Sequence, residues 1–269
     1  MFKRALKVAV ALSLFSSSFV FADPITDAVG NEHRSSQERL RDEYRNPQQT
    51  LRFFDVQADM AVAEISPGGG WYSNILAPLL KDNGQYYAAH FYMYEGAPSY
   101  YKRLLDSFNQ TVATHPNYKN VKVTAFHHNK AQDFAPADSL DRVLTFRNVH
   151  NWYMDGGEEG VENAFKSFAK ALKKGGVVGV VEHKLPENAA DEMQKSSGYM
   201  KQSVVVAAAE KAGLKLVAES DVNLNSLDNS DHERGVWTLL PTLGLGEKDQ
   251  AKYLAIGESN RMTLKFIKP

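Results

Sequence analysis

Short apolar runs alternate along the chain with segments whose apolar residues recur at helical spacing. The apolar runs predict strands at 60–65, 85–90, 121–126, 141–146, 177–181, 214–219 and 262–267. The amphipathic segments predict helices at 31–44, 51–54, 71–81, 100–112, 158–173 and 199–212. Strands that alternate with helices indicate a largely parallel sheet with helices on both faces.

Two stretches lie outside this alternation. Residues 23–30 are polar, and we predict that they are loosely structured. Residues 221–260 are rich in Asn, Asp, Ser and Gly and predict a long excursion before the last strand. The apolar run Val236–Pro241 inside this excursion is not typical of a disordered segment.

The first 22 residues have the pattern of a secretory signal peptide. Lys3, Arg4 and Lys7 precede the apolar run 8–14, and Val20-Phe21-Ala22 provides aliphatic or small residues for cleavage after Ala22. An uncleaved anchor is the alternative, but the run is shorter than the ~20 apolar residues of a spanning helix. The sequence therefore predicts a periplasmic or secreted protein with no membrane span after cleavage.

Composition excludes several classes of protein. The 269 residues are 43% hydrophobic and 23% charged, as in ordinary globular domains, which excludes disordered, collagen-like and coiled-coil chains. The net charge of −1, or −4 without the three basic residues of the leader, gives no basic field for nucleic acid. Because the chain has no cysteine, it has neither disulfides nor thiolate metal sites.

A glycine-rich turn joins the first predicted strand to the next helix. Gly68, Gly69 and Gly70 allow positive φ and a close approach of the backbone to a ligand. The helix that follows offers unpaired N–H groups, and Glu64 at the end of the strand can accept hydrogen bonds from a sugar or an amine. This combination favours a nucleoside-bearing cofactor over a turn that merely connects strand and helix.

Three segments resemble class I S-adenosylmethionine-dependent methyltransferases. Val62–Gly70 resembles their motif I, Asp138–Leu144 their fourth-strand motif, and Leu172–Val178 the turn into their fifth strand, with matching order over residues 51–219. More narrowly, the segments Phe146–Trp152, Gly235–Leu239 and Glu258–Phe266 resemble an exported branch of predicted methyltransferases.

The resemblance implies a fold, a cofactor and a domain organisation. The fold is an α/β Rossmann-like methyltransferase fold, with a seven-stranded, mostly parallel sheet, an antiparallel last strand and helices on both faces. The cofactor is S-adenosylmethionine, with its methionine end over the glycine turn. Residues 23–54 form an N-terminal helical cap, and residues 55–269 form the methyltransferase-like domain with its excursion at about 221–260.

The sequence departs from the family pattern in two places. Ser66 replaces the first glycine of motif I, and His90 stands where an acid usually holds the ribose hydroxyls. On the adenine side the nearest candidate is Asn129, with Asp133 further on. The residues expected to bind the cofactor are Glu64, Ser66, Pro67, Gly68, Gly69, Gly70, His90, Asn129, Arg147 and Asn148.

Five histidines follow predicted strands, at the edge of the sheet where ligands bind in this architecture. They are His90, His127, His128, His150 and His183. A metal site is one interpretation, but no paired-histidine spacing supports it, and we predict no metal.

His150 lies in the loop that borders the transferred methyl group in this fold. It is the candidate general base, and Arg147 the candidate to hold a carboxylate of cofactor or substrate. The alternative is that Arg147, Asn148 and Asn151 only tie loops together.

Other segments are candidates for covering the crevice. Tyr92, Met93, Tyr94, Tyr100 and Tyr101 either line an apolar substrate pocket or pack ordinarily. Arg34, Arg41 and Arg45 either point inward as a lid or are solvated, and we expect the segments around Trp237 and Arg261 to pack over the crevice.

The predicted function is methyl transfer from S-adenosylmethionine to an unidentified small molecule. One alternative is an exported, non-catalytic ligand-binding protein on the same scaffold. A metal-dependent hydrolase that uses the strand-end histidines is a further alternative.

Overall fold

The computed structural model describes residues 23–269, so the predicted signal peptide lies outside the described residues. A single twisted sheet has seven strands in the order β3-β2-β1-β4-β5-β8-β7. A two-residue strand, β6, pairs with the end of β5. The strands are β1 (Ala61–Ile65), β2 (Gln85–Phe91), β3 (Val121–Phe126), β4 (Leu140–Phe146), β5 (Leu172–Leu185), β6 (Met200–Lys201), β7 (Lys215–Ser220) and β8 (Arg261–Ile267).

The order of the strands reverses at β1, which has β2 on one side and β4 on the other, both parallel to it. Only β8 runs against its neighbours, and it pairs with β5 from Val177↔Ile267 to His183↔Arg261. The predicted α/β fold with an antiparallel last strand is therefore confirmed. The point where strand order reverses is where open α/β sheets bind their ligands.

Nine helices accompany the described strands. They are α1 (Pro24–Gly30), α2 (Ser36–Leu40), α3 (Asp42–Arg45), α4 (Pro47–Phe53), α5 (Ser73–Leu80), α6 (Ser99–Thr114), α7 (Val149–Ala171), α8 (Gln202–Lys211) and α9 (Gln250–Ile256).

The prediction of loose structure at 23–30 is wrong. Asp23 caps α1 by accepting from the amide of Ile25, and Pro24 occupies the first helical turn, where its missing N–H costs nothing. Ile25 and Val29 are buried in the same apolar cluster as Val62 of β1. Polar residues thus face solvent while two aliphatic side chains fix the helix to the domain.

The single helix predicted at 31–44 is two helices that meet at Arg41. Ser35 and Glu38 form a capping box at the start of α2, which ends after Leu40, a residue that is 70% exposed. The Nε of Arg41 donates to Glu258 at 2.6 Å, more than two hundred residues further along the chain. This distant ion pair is not visible in the local pattern.

Helix α7 begins nine residues before the predicted start at 158. The backbone amide of Val149 donates to the carboxylate of Glu182 on β5 at 2.6 Å, which caps the helix from a distant strand. Gly157, with φ of 62°, interrupts the regular helix near the predicted start.

The core has two apolar layers, one on each face of the sheet. One layer joins α7 and α8 to the sheet through residues such as Phe165 and Phe168. The other joins α1, α4 and α5 to the opposite face and includes Leu51 and Phe54 of the N-terminal segment. The predicted cap therefore shares a core with the sheet.

The excursion 221–260 folds back against the domain with little regular structure beyond α9 and the single turn Gly235–Thr238. Buried Asp228 holds it in place by accepting from the hydroxyl of Tyr199 at 2.9 Å and from the amide of Asn260 at 2.7 Å. No helix among residues 23–269 has the length and apolar character that crossing a bilayer requires.

Candidate active site

A cavity of about 890 Å³ opens at the carboxyl ends of the parallel strands, beside the reversal of strand order. Eight of the predicted site residues line it, and they come from β1, the glycine turn, the β4–α7 loop and the start of α7. They are Glu64, Ser66, Pro67, Gly68, Gly69, Arg147, Asn148 and His150. Their roles in binding or catalysis stay predictions, but the fold brings them to one place.

The glycine turn presents bare backbone to this cavity. Neither the amide of Gly68 nor that of Gly69 donates a hydrogen bond to any described residue. A Cβ at Gly69 would meet no atom within 4 Å, and one at Gly68 would meet only the Ser66 carbonyl, at 4.0 Å. The turn is open and has free donors, which is the arrangement an adenosyl ligand needs.

Three residues of the turn have positive φ: Ser66 (50°), Gly68 (60°) and Gly70 (81°). Gly70 does not line the cavity. Its amide closes the turn by donating to the Pro67 carbonyl at 3.0 Å. Ser66 keeps the left-handed conformation of the glycine that it replaces, at a cost in strain.

Glu64 is fully buried under the turn. Its Oε2 accepts from the hydroxyl of Tyr86 at 2.6 Å and from that of Ser73 at 2.8 Å. Burial raises the pKa of the carboxyl to about 7, although these two hydrogen bonds and Arg147 act in the opposite direction. Among the described residues Oε1 accepts no hydrogen bond, so this oxygen is available to a ligand.

His90 does not occupy the place of a ribose-binding acid. The ring is buried below the turn, where Nδ1 accepts from the amide of Phe91 at 2.9 Å. Nε2 then carries the proton and donates to the carbonyl of Gly68 at 3.1 Å. Burial lowers the pKa of His90, so the imidazole is neutral and supports the turn from behind. Phe91, the next residue, lines the cavity instead.

Asn129 also lies outside the cavity. Its side-chain oxygen accepts from Asn163 of α7 at 3.1 Å on the exposed surface. Asp133 pairs with Lys170, again at the surface. The loop after β3 closes on itself through the His127–Ala131 bridge, and neither Asn129 nor Asp133 lines the cavity.

Asn148 connects two elements of the site. Its Nδ2 donates to the carbonyl of Ile65 at 2.8 Å and to the hydroxyl of Thr145 at 3.2 Å. These bonds join the end of β1 to the loop after β4 and fix the start of α7, which carries His150.

His150 and Glu182 form a buried, oriented pair. The Nδ1 of His150 lies 2.9 Å from Oε1 of Glu182, and Oε2 of Glu182 accepts from the amide of Val149 at 2.6 Å. Since Nδ1–H donates to the carboxylate, Nε2 is left with its lone pair on the side of the cavity. Sequence reasoning missed Glu182, although an acid at the end of the apolar strand Val-Val-Glu-His was an available signal.

Segments expected to cover the crevice do so in part. Tyr94, Tyr100 and Tyr101 line the cavity, whereas Tyr92 and Met93 do not. Tyr101 stacks on Phe91 with ring centroids 4.0 Å apart. The further lining residues that were predicted to face inward are Arg41, Arg45, Trp237 and Arg261. Arg34 instead pairs with Asp42.

Four of the five strand-end histidines belong to two groups of residues, and within each group the potential ligand atoms lie within 4.8 Å of one another. His90 belongs to neither group. In the group His150, Glu182 and His183, both carboxylate oxygens already accept hydrogen bonds from amides or from imidazole. In the group His127, His128 and Asp155, the two rings stack at 4.5 Å and Asp155 is exposed. The second group therefore has the more available metal ligands, and the prediction of no metal stays a prediction.

The sheet order, the open glycine turn and the site at the reversal point together define the fold of class I S-adenosylmethionine-dependent methyltransferases. Solved structures support this at the level of fold. The S-adenosylmethionine-dependent methyltransferase from Aquifex aeolicus superposes with a TM-score of 0.54 at 14% identity, covering 87% of this chain and 98% of that one.

Two further structures resemble the chain to a similar degree. Geranyl diphosphate C-methyltransferase from Streptomyces coelicolor A3(2), solved with Mg²⁺, geranyl diphosphate and S-adenosyl-L-homocysteine, has a TM-score of 0.55 at 10% identity and covers 91% and 86% of the two chains. The [4+2]-cyclase SpnF has a TM-score of 0.54 at 14% identity and covers 91% and 92%. No family model matches the sequence, and no curated protein is similar to it in sequence.

Proposed function

We propose that this protein is a methyltransferase that uses S-adenosylmethionine to methylate a small molecule. The observation that carries the proposal is the open turn at Gly68 and Gly69, which lies in one cavity with buried Glu64 and with His150. The fold shared with solved methyltransferases supports it. The cofactor, when bound, supplies an electrophilic methyl group on a positively charged sulfur.

The residues of the turn fit such a cofactor. The free amides of Gly68 and Gly69 would hold its polar end, and the available oxygen of Glu64 would accept hydrogen bonds from it. Ionisation of Glu64 beside a cationic ligand is favourable because the ligand offsets the burial that raises the carboxyl pKa. Trp237, which lies over the cavity, would exclude water.

His150 would act as general base. Its free Nε2 would take the proton of an acceptor hydroxyl or amine as the new bond to carbon forms. Glu182 is a positioning residue, which fixes the tautomer and stabilises the imidazolium that results.

The binding site is tested by titrating residues 23–269 with S-adenosylhomocysteine in a calorimeter. Gly69→Val fills the ligand space without a clash or a positive φ, so it should fold normally and weaken binding at least tenfold. Gly68→Val should also weaken binding, and Gly30→Val on the exposed end of α1 is the matched control. If the wild type and Gly69→Val bind S-adenosylhomocysteine with equal affinity, the turn is not part of the cofactor site.

The role of His150 is tested by the release of S-adenosylhomocysteine from S-adenosylmethionine with a panel of hydroxyl and amine acceptors. His150→Ala should retain affinity for S-adenosylhomocysteine but lower turnover by about 10²–10⁴-fold. Glu182→Gln should retain partial activity with an altered pH profile, because Gln cannot stabilise the imidazolium. Unchanged turnover in His150→Ala would remove this residue from the mechanism.

A non-catalytic ligand-binding protein is the second candidate. His90, which replaces the usual acid and supports the turn, favours it, and the cyclase SpnF is an example of this fold with another activity. Binding of S-adenosylhomocysteine without turnover of any acceptor would support this candidate.

A metal-dependent hydrolase that uses His127, His128 and Asp155 is less well supported. Elemental analysis of untagged protein tests it. A stoichiometric transition metal that is lost in His128→Ala would support the hydrolase.

We also propose that the protein is exported and cleaved after Ala22, as the leader pattern indicates. Mass spectrometry of the protein from periplasmic and culture fractions should find an N-terminus at Asp23. An intact Met1 on the exported protein would contradict cleavage.

A further inference from the structure

Three arginines pair with one carboxylate at the wall of the cavity, and a fourth lines the same cavity. Glu258 pairs with Arg41 at 2.6 Å, with Arg45 at 3.1 Å and with Arg261. Arg147 contributes with these three arginines to holding the pKa of Glu258 well below its usual value. Arg41, Arg45, Arg147 and Arg261 all line the cavity, and Glu258 is 1% exposed.

Several donors of this cluster have no acceptor. Arg45 and Arg261 are 3% and 2% exposed, yet Nη1 of Arg45 and Nε of Arg261 make no hydrogen bond to any described residue. The guanidinium of Arg147 forms no ion pair or hydrogen bond with residues 23–269. Buried cationic donors without acceptors are costly, so an arrangement of this kind indicates a missing anionic partner.

The local charges do not balance. Four guanidinium groups and one carboxylate leave three positive charges, and the guanidinium pKa of Arg147 falls to about 10 because of burial and its arginine neighbours. Glu38 and Asp155 also line the cavity, but their carboxylates bond to Ser35, Asn74 and His128, and neither forms an ion pair with these arginines. Burial raises the pKa of Glu64 to about 7, so at neutral pH this carboxyl offsets the arginines only in part.

We propose, on the basis of the methyltransferase function proposed above, that the arginine cluster binds a phosphate or diphosphate group of the methyl acceptor. One carboxylate, such as that of the cofactor, would offset a single charge, and the cofactor brings an ammonium and a sulfonium of its own. A phosphate monoester carries close to two negative charges and a diphosphate about three, and guanidinium groups bind such oxyanions in bidentate fashion.

The arginine cluster lies where it can orient a methyl acceptor toward His150, the proposed general base. Arg261 pairs in register with His183 on β5, and Glu182, the residue before His183, holds His150. Trp71, directly after the glycine turn, stacks under Arg45, with the guanidinium 4.5 Å from the ring centroid. An anion on the arginines therefore lies between the turn and His150, where it can anchor a substrate across the cavity.

The test is calorimetric titration of residues 23–269 with inorganic pyrophosphate and phosphate in a low-salt Tris buffer near neutral pH, with and without saturating S-adenosylhomocysteine. We expect pyrophosphate to bind in both conditions and to bind more tightly than phosphate. Arg147→Gln should weaken the binding of pyrophosphate at least tenfold. Of the two roles that the sequence left open for Arg147, the proposal assigns the acceptor and not the cofactor carboxylate, so the affinity for S-adenosylhomocysteine should stay within about twofold. Arg103→Gln, on the exposed surface of α6, is the matched control.

Thermal unfolding gives a second readout that does not depend on activity. Because Arg147 has no partner to lose, Arg147→Gln should fold, and its Tm without ligand should equal or exceed that of the wild type. Pyrophosphate should raise the Tm of the wild type and of Arg103→Gln but not that of Arg147→Gln.

The outcomes separate the two proposals. Pyrophosphate that fails to bind, or that binds Arg147→Gln as well as the wild type, overturns the anion site whatever S-adenosylhomocysteine does. Displacement of pyrophosphate by S-adenosylhomocysteine but not by methylthioadenosine, which lacks the carboxylate, assigns the arginines to the cofactor and also overturns the proposal. Pyrophosphate binding without S-adenosylhomocysteine binding supports the anion site and contradicts the methyltransferase.

Discussion

Glu64 is a carboxyl group whose ionisation is set by its surroundings. Burial raises its pKa from 4.5 to about 7, while hydrogen bonds from Tyr86 and Ser73 limit the rise. Between these two values the folded protein keeps a proton that the unfolded chain has lost, so stability falls as pH rises and is constant above about 7. The buried neutral histidines, whose pKa values are lowered, have the opposite slope in part of this window.

A comparison with Glu64→Gln isolates this contribution. Gln can still accept hydrogen bonds from Tyr86 and Ser73, so the variant should fold. Relative to the wild type, its free energy of unfolding should increase by up to about 3 kcal/mol from pH 4.5 to 7, because only the wild type loses stability over this range. Urea denaturation at pH 5, 6, 7 and 8 measures the difference. A constant difference across this range would show that Glu64 is not protonated in the folded protein.

Ser66 is strained because it has a left-handed backbone conformation, with φ of 50°, that residues with a Cβ rarely adopt. Ser66→Gly should relieve about 1–2 kcal/mol of steric cost and lose roughly 0.5–1 kcal/mol to the entropy of glycine in the unfolded chain. The free energy of unfolding should therefore increase by up to about 1 kcal/mol, as measured by urea denaturation. Ser66→Ala keeps the Cβ, so as a control it should not be more stable than the wild type. If Ser66→Gly were less stable than the wild type, the backbone at this position would not be strained.

At the residue scale, prediction from sequence succeeded where the chemistry is local. The turn Ser66–Gly70 is contiguous, and its glycines signal positive φ directly. His90 and Asn129 were assigned by counting along strands, and that count does not tell whether a ring faces the cavity or supports the turn from behind. Glu182 was missed because its partner His150 lies on another element, at the start of α7, 32 residues away.

At the scale of elements, Phe54 and Gly179 couple the N-terminal segment to the sheet. A Cβ at Gly179 of β5 would approach three atoms of the Phe54 ring at 2.7–2.8 Å, so only glycine lets the ring lie flat on the strand. We expect Gly179→Ala to destabilise the protein by about 1–3 kcal/mol through overpacking.

A second substitution distinguishes overpacking from an effect on the strand itself. Phe54→Leu in the Gly179→Ala background should recover part of the loss, because the smaller side chain makes room for the methyl group. Denaturation of the two single variants and the double variant gives the coupling between the sites. Strictly additive effects would contradict the contact.

Most strands were predicted within one or two residues because their apolar runs are continuous and buried. The helices were less regular. α1 was missed because only a few of its residues are apolar, and the break at Arg41 and the early start of α7 follow from the distant carboxylates Glu258 and Glu182. The sequence of a segment gives its hydrophobic period and its composition, but it does not show which distant carboxylate will bond to its backbone or side chains.

At the scale of the molecule, the helices of residues 23–54 and the sheet have one core. Leu51 and Phe54 are 0% exposed and belong to the same cluster as Val62 and Leu144. We expect residues 23–269 to unfold in one calorimetric transition, with equal calorimetric and van't Hoff enthalpies, and residues 55–269 alone not to fold cooperatively. Two separated transitions would show that the cap is an independent domain.

The carboxylate of Glu258 also has a consequence for the order of events during synthesis. It and Arg261 enter the nascent chain more than two hundred residues after Arg41 and Arg45, so the wall of arginines cannot close until these late residues have been added. The parallel strands can pair first, while the arginines remain hydrated. On the proposal made above, a chain that stops before Glu258 should therefore have much of the sheet but no affinity for pyrophosphate.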